Sequence, residues 1–440
     1  TGGGPVYPGY LWEFPCEAGS CDGWRPYMGE TWSQPVITRV KATLDCGNES
    51  TWSSCGTVDR WVAIFGGGYD ASGDPNMPHD VDATVVAGEY DPGTDADTLL
   101  AGRALFMVDI ATGQVLAAKR FQYDGTAGDP ADGEPGMQYA IASAPAVFDL
   151  DFDGYADAVY VGDLGGNVWK WLISPPAEDH LRGSSGDDHQ GRWEFLKILA
   201  AENCTSCSPA HYKSFFYPPT GAVLGQNLWL ALGSGERANL DYGQDGVSDD
   251  AAKNRYYVFK DRDPFELERV AATELPYTDV SPSTDFVDGT SITDFNPSSC
   301  LGSNAVGFYF EGEAGEKFIT ESVIFFGVVL TGSYVPASSA ASVCVAAGQA
   351  YLYGFHLLCG EGVFPPESEG DPKQCRIEIG GGSGGLPNAP RVSVGPVDDD
   401  GGGDDCTDMV VVITSEGSGF EDCLTERPGS GLRVKSWRDL

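Results

Sequence analysis

The chain has few basic residues, few histidines and no long apolar run, and each shortage narrows what it can do. Only 26 Lys and Arg stand against 65 Asp and Glu, a formal net charge of −39. A field of that sign repels phosphate backbones and anionic membrane surfaces, which argues against nucleic acid as a partner and favours cations. No apolar stretch reaches the roughly 18 residues of a membrane-spanning helix, so no transmembrane segment is expected. The five histidines (His79, His180, His189, His211 and His356) are scattered without zinc-type spacing, and His356 sits in an apolar run as a packed residue would. No phosphate-cradling glycine loop is followed by Lys. Gly381-Gly-Ser383-Gly-Gly385 has the letters of a nucleophile elbow, but Pro387 and Pro390 oppose the helix that an elbow needs. Cys204-Thr-Ser-Cys207 lacks a thioredoxin-like context, and Ser208 stands where haem attachment requires His. No catalytic constellation is left, and the chain is not expected to be an enzyme.

What is plentiful is glycine (59), proline (28) and aromatic residues in a chain of 440. That composition suits many short strands joined by tight turns, an all-β fold. Five units share one layout, an apolar run ending in glycine and then a second run with an aromatic and a polar turn. They begin at Trp61 to Gly68 with Ala104 to Leu116, at Ser143 to Leu150 with Ala158 to Asp163 and Gly166 to Ile173, and at Leu228 to Gly235 with Arg255 to Asp261. Val323 to Thr331 with Ala350 to Leu358, and Met409 to Thr414, complete the set. Recurrence at this spacing points to a β-propeller with long loop insertions, spanning residues 1–440 as one domain, and a β-sandwich is the alternative. Tyr10-Leu-Trp-Glu-Phe14 is a strand candidate that could close the ring against the C-terminal strand.

Twelve cysteines fall mostly in close pairs, Cys16/Cys21, Cys46/Cys55, Cys204/Cys207, Cys359/Cys375 and Cys406/Cys423, with Cys300 and Cys344 left over. Short disulfide loops in an oxidising compartment are expected, although spacing does not give their connectivity. A start at Thr-Gly-Gly-Gly without a signal peptide suggests a processed piece of a larger exported protein.

The sharpest motif is Asp149-Leu-Asp151-Phe-Asp153-Gly154-Tyr155-Ala-Asp157. Carboxylates at positions 1, 3, 5 and 9 of a glycine-turned loop can converge on one hard cation, with the backbone carbonyl of Tyr155 as a further oxygen. The flanks are strand-like and Tyr160 occupies position 12, so this is not an EF-hand. Many flexible oxygen ligands favour Ca2+ over Mg2+. Two weaker acidic loops surround Asp245 (Asp241 to Asp249) and Asp404 (Asp398 to Asp408).

The run from Ser143-Ala-Pro-Ala-Val-Phe-Asp149 through this loop to Val159-Tyr160-Val-Gly162-Asp163-Leu-Gly165-Gly166-Asn167-Val-Trp169 resembles the hallmark of the PilY family of type IV pilus-biogenesis factors, in their C-terminal propeller. Thr31 to Val36, Phe65 to Tyr69, Val108-Asp-Ile-Ala-Thr-Gly113, Gly380 to Pro390 and Ser436 to Leu440 match in the same order. The resemblance implies a modified propeller of about seven blades and Ca2+ held by Asp149, Asp151, Asp153, the Tyr155 carbonyl and Asp157. It also implies an extracellular, pilus-tip protein that is exported through the periplasm and works with minor pilins in pilus assembly, adhesion and twitching motility. The family's N-terminal adhesive domain is not expected within these 440 residues, no Arg-Gly-Asp tripeptide occurs in them, and the surface ligand stays open. Two other readings compete: a quinoprotein dehydrogenase, whose repeated turn the Val108 to Gly113 segment also resembles, and a calcium-stiffened adhesion propeller unrelated to pili.

Overall fold

The computed structural model describes residues 11–15, 22–43, 57–70, 100–121, 137, 139–173, 193, 195–201, 213–224, 227–238, 240, 253–261, 264, 286–288, 307–336, 348–358, 360–364, 374–379, 386–395, 409–413 and 419–423. Apart from a short 3-10 helix at Asp22–Tyr27, its regular elements are all strands. In chain order these are β1 (Val36–Thr43), β2 (Thr57–Gly66), β3 (Ala104–Asp109), β4 (Val115–Arg120), β5 (Ala146–Phe148), β6 (Ala158–Gly162), β7 (Asn167–Leu172) and β8 (Phe195–Ala200). They continue with β9 (Thr220–Leu224), β10 (Asn227–Gly233), β11 (Arg255–Asp261), β12 (Phe286–Asp288), β13 (Gly307–Glu311) and β14 (Lys317–Phe318). Last come β15 (Val323–Phe325), β16 (Val328–Val335), β17 (Gln349–His356), β18 (Arg376–Ile379), β19 (Arg391–Gly395), β20 (Met409–Ile413) and β21 (Gly419–Cys423).

Among the described residues these strands form five sheets, with orders β1-β2-β3-β4, β5-β6-β7-β8, β12-β13-β11-β10-β9, β14-β16-β17-β18 with β15 also on β16, and β19-β20-β21. The β12–β13 pairing is parallel, and the other registered pairs are antiparallel. Each of the five repeated units in the sequence contributes to one of these sheets. Inner strands such as β3, β6 and β7 are buried along their whole length, which is why they read as unbroken apolar runs and not as alternating ones. β1 is an edge strand with the opposite signature: Val40 and Ala42 are buried, whereas Ile37, Arg39 and Lys41 face outward.

The chain divides into two compact units. The first comprises Thr1–Asp163, Trp169–Leu196 and Leu267–Arg269, and the second comprises Leu164–Val168, Lys197–Glu266 and Val270–Leu440. Within the first, Val62, Ile64, Leu105, Met107, Val159 and Val161 form a core with Trp169, Trp171, Trp193 and Phe195. Trp169 and Phe195 stack with centroids 5.0 Å apart, and the Trp169 indole N–H donates to Asp163 at 2.8 Å. That bond spans the β6–β7 turn and gives a physical reason for the Asp163 to Trp169 spacing. The Val108 to Gly113 segment is also a turn device: Asp109 Oδ1 accepts from the Thr112 N–H and hydroxyl, both at 2.9 Å, while Gly113 takes φ +72°.

The second unit packs Tyr256, Phe308, Phe310, Phe318 and Phe355 around Val258 and Val329. Beside them Glu316 is fully buried. Its Oε1 accepts from Tyr353 Oη at 2.9 Å and from Ser333 Oγ, and its Oε2 accepts from the Glu313 N–H at 2.7 Å and from Arg376 Nη1 at 3.3 Å.

Several expectations are modified. The apolar run Val323 to Thr331 holds two strands: Phe326 (φ +45°) and Gly327 (φ +80°) turn the chain between β15 and β16, whose Phe325 and Val328 pair. Leu11 to Phe14 form no strand. Instead the Trp12 indole donates to the Ile110 carbonyl at 2.7 Å, and Phe14 packs edge-on against Phe65 and Phe106. Tyr10 and the C-terminal residues that would close a ring lie outside the described residues. Among the described residues Cys375 has no disulfide partner, and burial raises its thiol above the ordinary thiol range. The side chains of the other eleven cysteines, Cys359 among them, lie outside the described residues, as do the acidic loops near Asp245 and Asp404, Cys204 to Cys207, Gly381 to Gly385 and every histidine but His356. His356 lies in β17 and is half-buried.

Candidate cation site

The acidic motif is the connection between β5 and β6. Its base is closed by the Asp157 N–H donating to the Phe148 carbonyl at 2.8 Å. Short carboxylate side chains then fold the loop by binding its own backbone, the property that favours Asp in turns. Asp149 Oδ2 accepts from the Gly154 N–H at 2.9 Å, Asp151 Oδ1 from the Asp153 N–H at 3.0 Å, and Asp153 Oδ1 from the Tyr155 N–H at 2.9 Å. Two residues take the left-handed conformation, Phe152 at φ +64° and Gly154 at φ +89°. A Cβ on Gly154 would meet nothing within 4 Å, so glycine is needed there for the backbone and not for space.

The result is that carboxylate oxygens of Asp149, Asp151 and Asp153 lie within 4.8 Å of one another. Asp149 is only 7% exposed, and its Oδ1 is buried without a hydrogen-bond partner. Desolvation by burial raises the Asp149 carboxyl above the ordinary carboxylate range, neighbouring Asp151 and Asp153 push the same way, and N–H groups of Gly154 and Phe152 oppose them. A buried, unsatisfied anionic oxygen at the focus of two more carboxylates fits a hard cation, which would satisfy the oxygen and cancel the repulsion.

The side chains of the other two expected ligand residues, Asp157 and Tyr155, make contacts around the three carboxylates. Asp157 is not among the three converging carboxylates; its Oδ2 accepts from the Leu150 N–H at 2.6 Å and the Asp151 N–H at 3.3 Å, holding the loop's entry. Tyr155 turns its side chain to the neighbouring strands. Its ring lies under the Arg39 guanidinium (4.4 Å) and the Lys41 ammonium (4.2 Å). Its hydroxyl donates to Asp59 at 2.6 Å and accepts from Arg39 at 2.6 Å, and the Ala156 N–H donates to the Arg39 carbonyl at 2.8 Å. The Lys41 ammonium pairs with Asp153 Oδ2, a bond that holds the Asp153 carboxyl below its ordinary range. Reading the sequence missed Arg39, Lys41 and Asp59. Their outward-facing alternation on β1 and β2 was the available signal, but nothing local says which loop docks against it.

No family model matches the chain. It is 28% identical over 320 residues to the type IV pilus biogenesis factor PilY1 homolog of Xylella fastidiosa, a match covering 68% of this chain and 18% of that protein. The chain thus spans less than a fifth of that relative's length. In fold it is similar to the PilY1 C-terminal domain of Pseudomonas aeruginosa, with TM-score 0.53 and 14% identity over 91% of this chain and 74% of that one. A quinohemoprotein alcohol dehydrogenase of Pseudomonas putida HK5 overlays with TM-score 0.35 at 11% identity, over 94% of this chain and 46% of that one, too low a score to carry an argument. Among the described residues no helix is long and apolar enough to cross a membrane. In sequence, and in its all-β fold of mostly antiparallel sheets, the chain is similar to the PilY1 proteins.

Proposed function

We propose that this chain is the calcium-responsive propeller module of a pilus-tip factor that supports type IV pilus assembly, adhesion and twitching motility. It acts by binding and not by catalysis, outside the cell after export through the periplasm, and with minor pilins as partners. The observation that carries the reading is the buried, unpartnered Asp149 Oδ1 beside Asp151 and Asp153, in a chain related to PilY1. Asp149, Asp151 and Asp153 would hold Ca2+ directly, with the Tyr155 carbonyl and Asp157 completing the shell after a small rearrangement of the loop. Without a bidentate Glu the affinity falls between about micromolar and millimolar, where extracellular calcium can act as a signal. Filling the loop removes the repulsion among its carboxylates and can bias the surrounding loops by about 1 to 3 kcal/mol, enough to change a partner's affinity several-fold to a hundredfold.

The test is genetic. Deleting the parent gene should reduce surface pili and twitching, the native gene should restore both, and Asp149→Ala should restore them abnormally while the protein is still exported. Unchanged pilus number, twitching and attachment in the deletion strain would overturn the pilus reading.

A further inference from the structure

The cation loop does not stand alone. Its position-5 carboxylate, Asp153, has both oxygens engaged: Oδ1 with the Tyr155 N–H and Oδ2 with the Lys41 ammonium of strand β1. Lys41 reaches the loop across 112 residues of sequence, and its ammonium also lies 4.2 Å from the centroid of the Tyr155 ring. It remains 38% exposed, so it is free to swing away without disturbing a core. Arg39, two residues earlier on the same face, is held differently, between Asp59 at 3.6 Å and the Tyr155 hydroxyl at 2.6 Å.

We propose that Lys41 is an internal competitor for the cation: its ammonium occupies Asp153 in the cation-free loop, sets the affinity of the site, and is released from the loop when calcium binds. The inference rests on the calcium reading given above and adds to it a residue that the acidic motif does not contain. The geometry supports it in two ways. An ammonium bonded to Asp153 uses an oxygen that the incoming cation needs, and it places a positive charge next to a site for a divalent ion. Giving up a unit-charge ion pair with a separation of about 3 Å lowers the incoming ion's affinity by about tenfold even at the dielectric of bulk water. Because the pair is partly exposed, added salt screens this penalty. Release of Lys41 also takes one of the two cations off the Tyr155 ring, so filling the loop alters its attachment to β1.

The experiment is calorimetric titration of the whole chain with calcium chloride, comparing the native protein with Lys41→Met, Lys41→Gln and Lys41→Arg at low and high salt. Lys41→Met and Lys41→Gln should bind about tenfold more tightly than native at low salt. The gap should narrow at high salt, and Lys41→Arg, which keeps the charge, should stay near native. Amine-reactive labelling read by mass spectrometry should show Lys41 modified faster in saturating calcium than in chelator. Circular dichroism identifies a misfolded variant, and having two neutral variants keeps the comparison intact if one fails. Equal or weaker calcium binding by both neutral variants, or labelling of Lys41 that calcium does not change, would overturn the competitor role and leave the calcium site standing. Calcium binding by none of the four proteins would remove the site itself, and the proposal with it.

Discussion

Replacing Asp149 by Asn should stabilise the protein in chelator and abolish its response to calcium, a reversal of sign that few other mechanisms produce. The carboxylate oxygens of Asp149, Asp151 and Asp153 lie within 4.8 Å of one another, and each like-charge pair at that distance costs about 0.9 kcal/mol in bulk water. Asp151 and Asp153 are exposed, so the bulk-water value is the appropriate one, and Lys41 already neutralises part of the Asp153 charge. Removing the Asp149 charge therefore relieves about 1 to 2 kcal/mol. The Asn side-chain oxygen can still accept from Gly154, and the amide placed where Oδ1 is orphaned can donate to the two remaining carboxylates. Melting curves in chelator should place the variant roughly 3 to 6 °C above native, for a unit of this size. At calcium a hundredfold above its dissociation constant the native protein gains about 2.7 kcal/mol and the order inverts. If Asp149→Asn melts below native in chelator, or shifts with calcium as native does, Asp149 is not the focus of a cation site.

Three further outcomes follow from other parts of the molecule. Gly154→Ala should cost about 1 to 2 kcal/mol through backbone conformation alone, and Gly154→Asn less, because Asn tolerates the left-handed region; chemical denaturation ranks the three, and Ala equal to Gly would contradict the φ of +89°. Glu316→Ala should cost about 2 to 4 kcal/mol by stranding the Ser333 and Tyr353 hydroxyls and the Glu313 N–H, while Arg376 keeps its pair with Glu313; this is read as an earlier denaturation midpoint, whereas a loss under about 1 kcal/mol would mean the network is not closed. The Cys375 thiol, raised by burial, should alkylate slowly in the native protein near neutral pH and at the rate of an ordinary thiol once unfolded, and rapid native labelling would contradict its placement.

The acidic loop was legible in the sequence because everything that shapes it is local. Asp at alternate positions bonds N–H groups a few residues away, and Gly154 supplies the turn. The five units were legible for a similar reason, since doubly buried strands such as β6 and β7 write uninterrupted apolar runs. Three features were not legible. The Phe326–Gly327 turn carries an aromatic in a conformation that residues of its kind seldom adopt, so the apolar pattern alone gave no sign of a turn within the run. Leu11 to Phe14 has a strand's composition, yet Trp12 and Phe14 use their rings to cap the β2–β3 region and do not extend a sheet. Arg39, Lys41 and Asp59 reach the loop only through tertiary pairing, which composition and spacing do not encode.

The Tyr155 clamp divides the site by folding order. Bonds within the loop span two to seven residues, whereas those from Tyr155 to Asp59 and Arg39 span 96 and 116. Local turns close in microseconds or less, but contacts of such separation must wait until the intervening chain has been brought together. The β5–β6 hairpin can thus acquire its carboxylate geometry early and dock onto β1 late. A slow refolding phase that disappears in Tyr155→Ala, with the fast phase retained, would be the kinetic mark of that two-stage assembly.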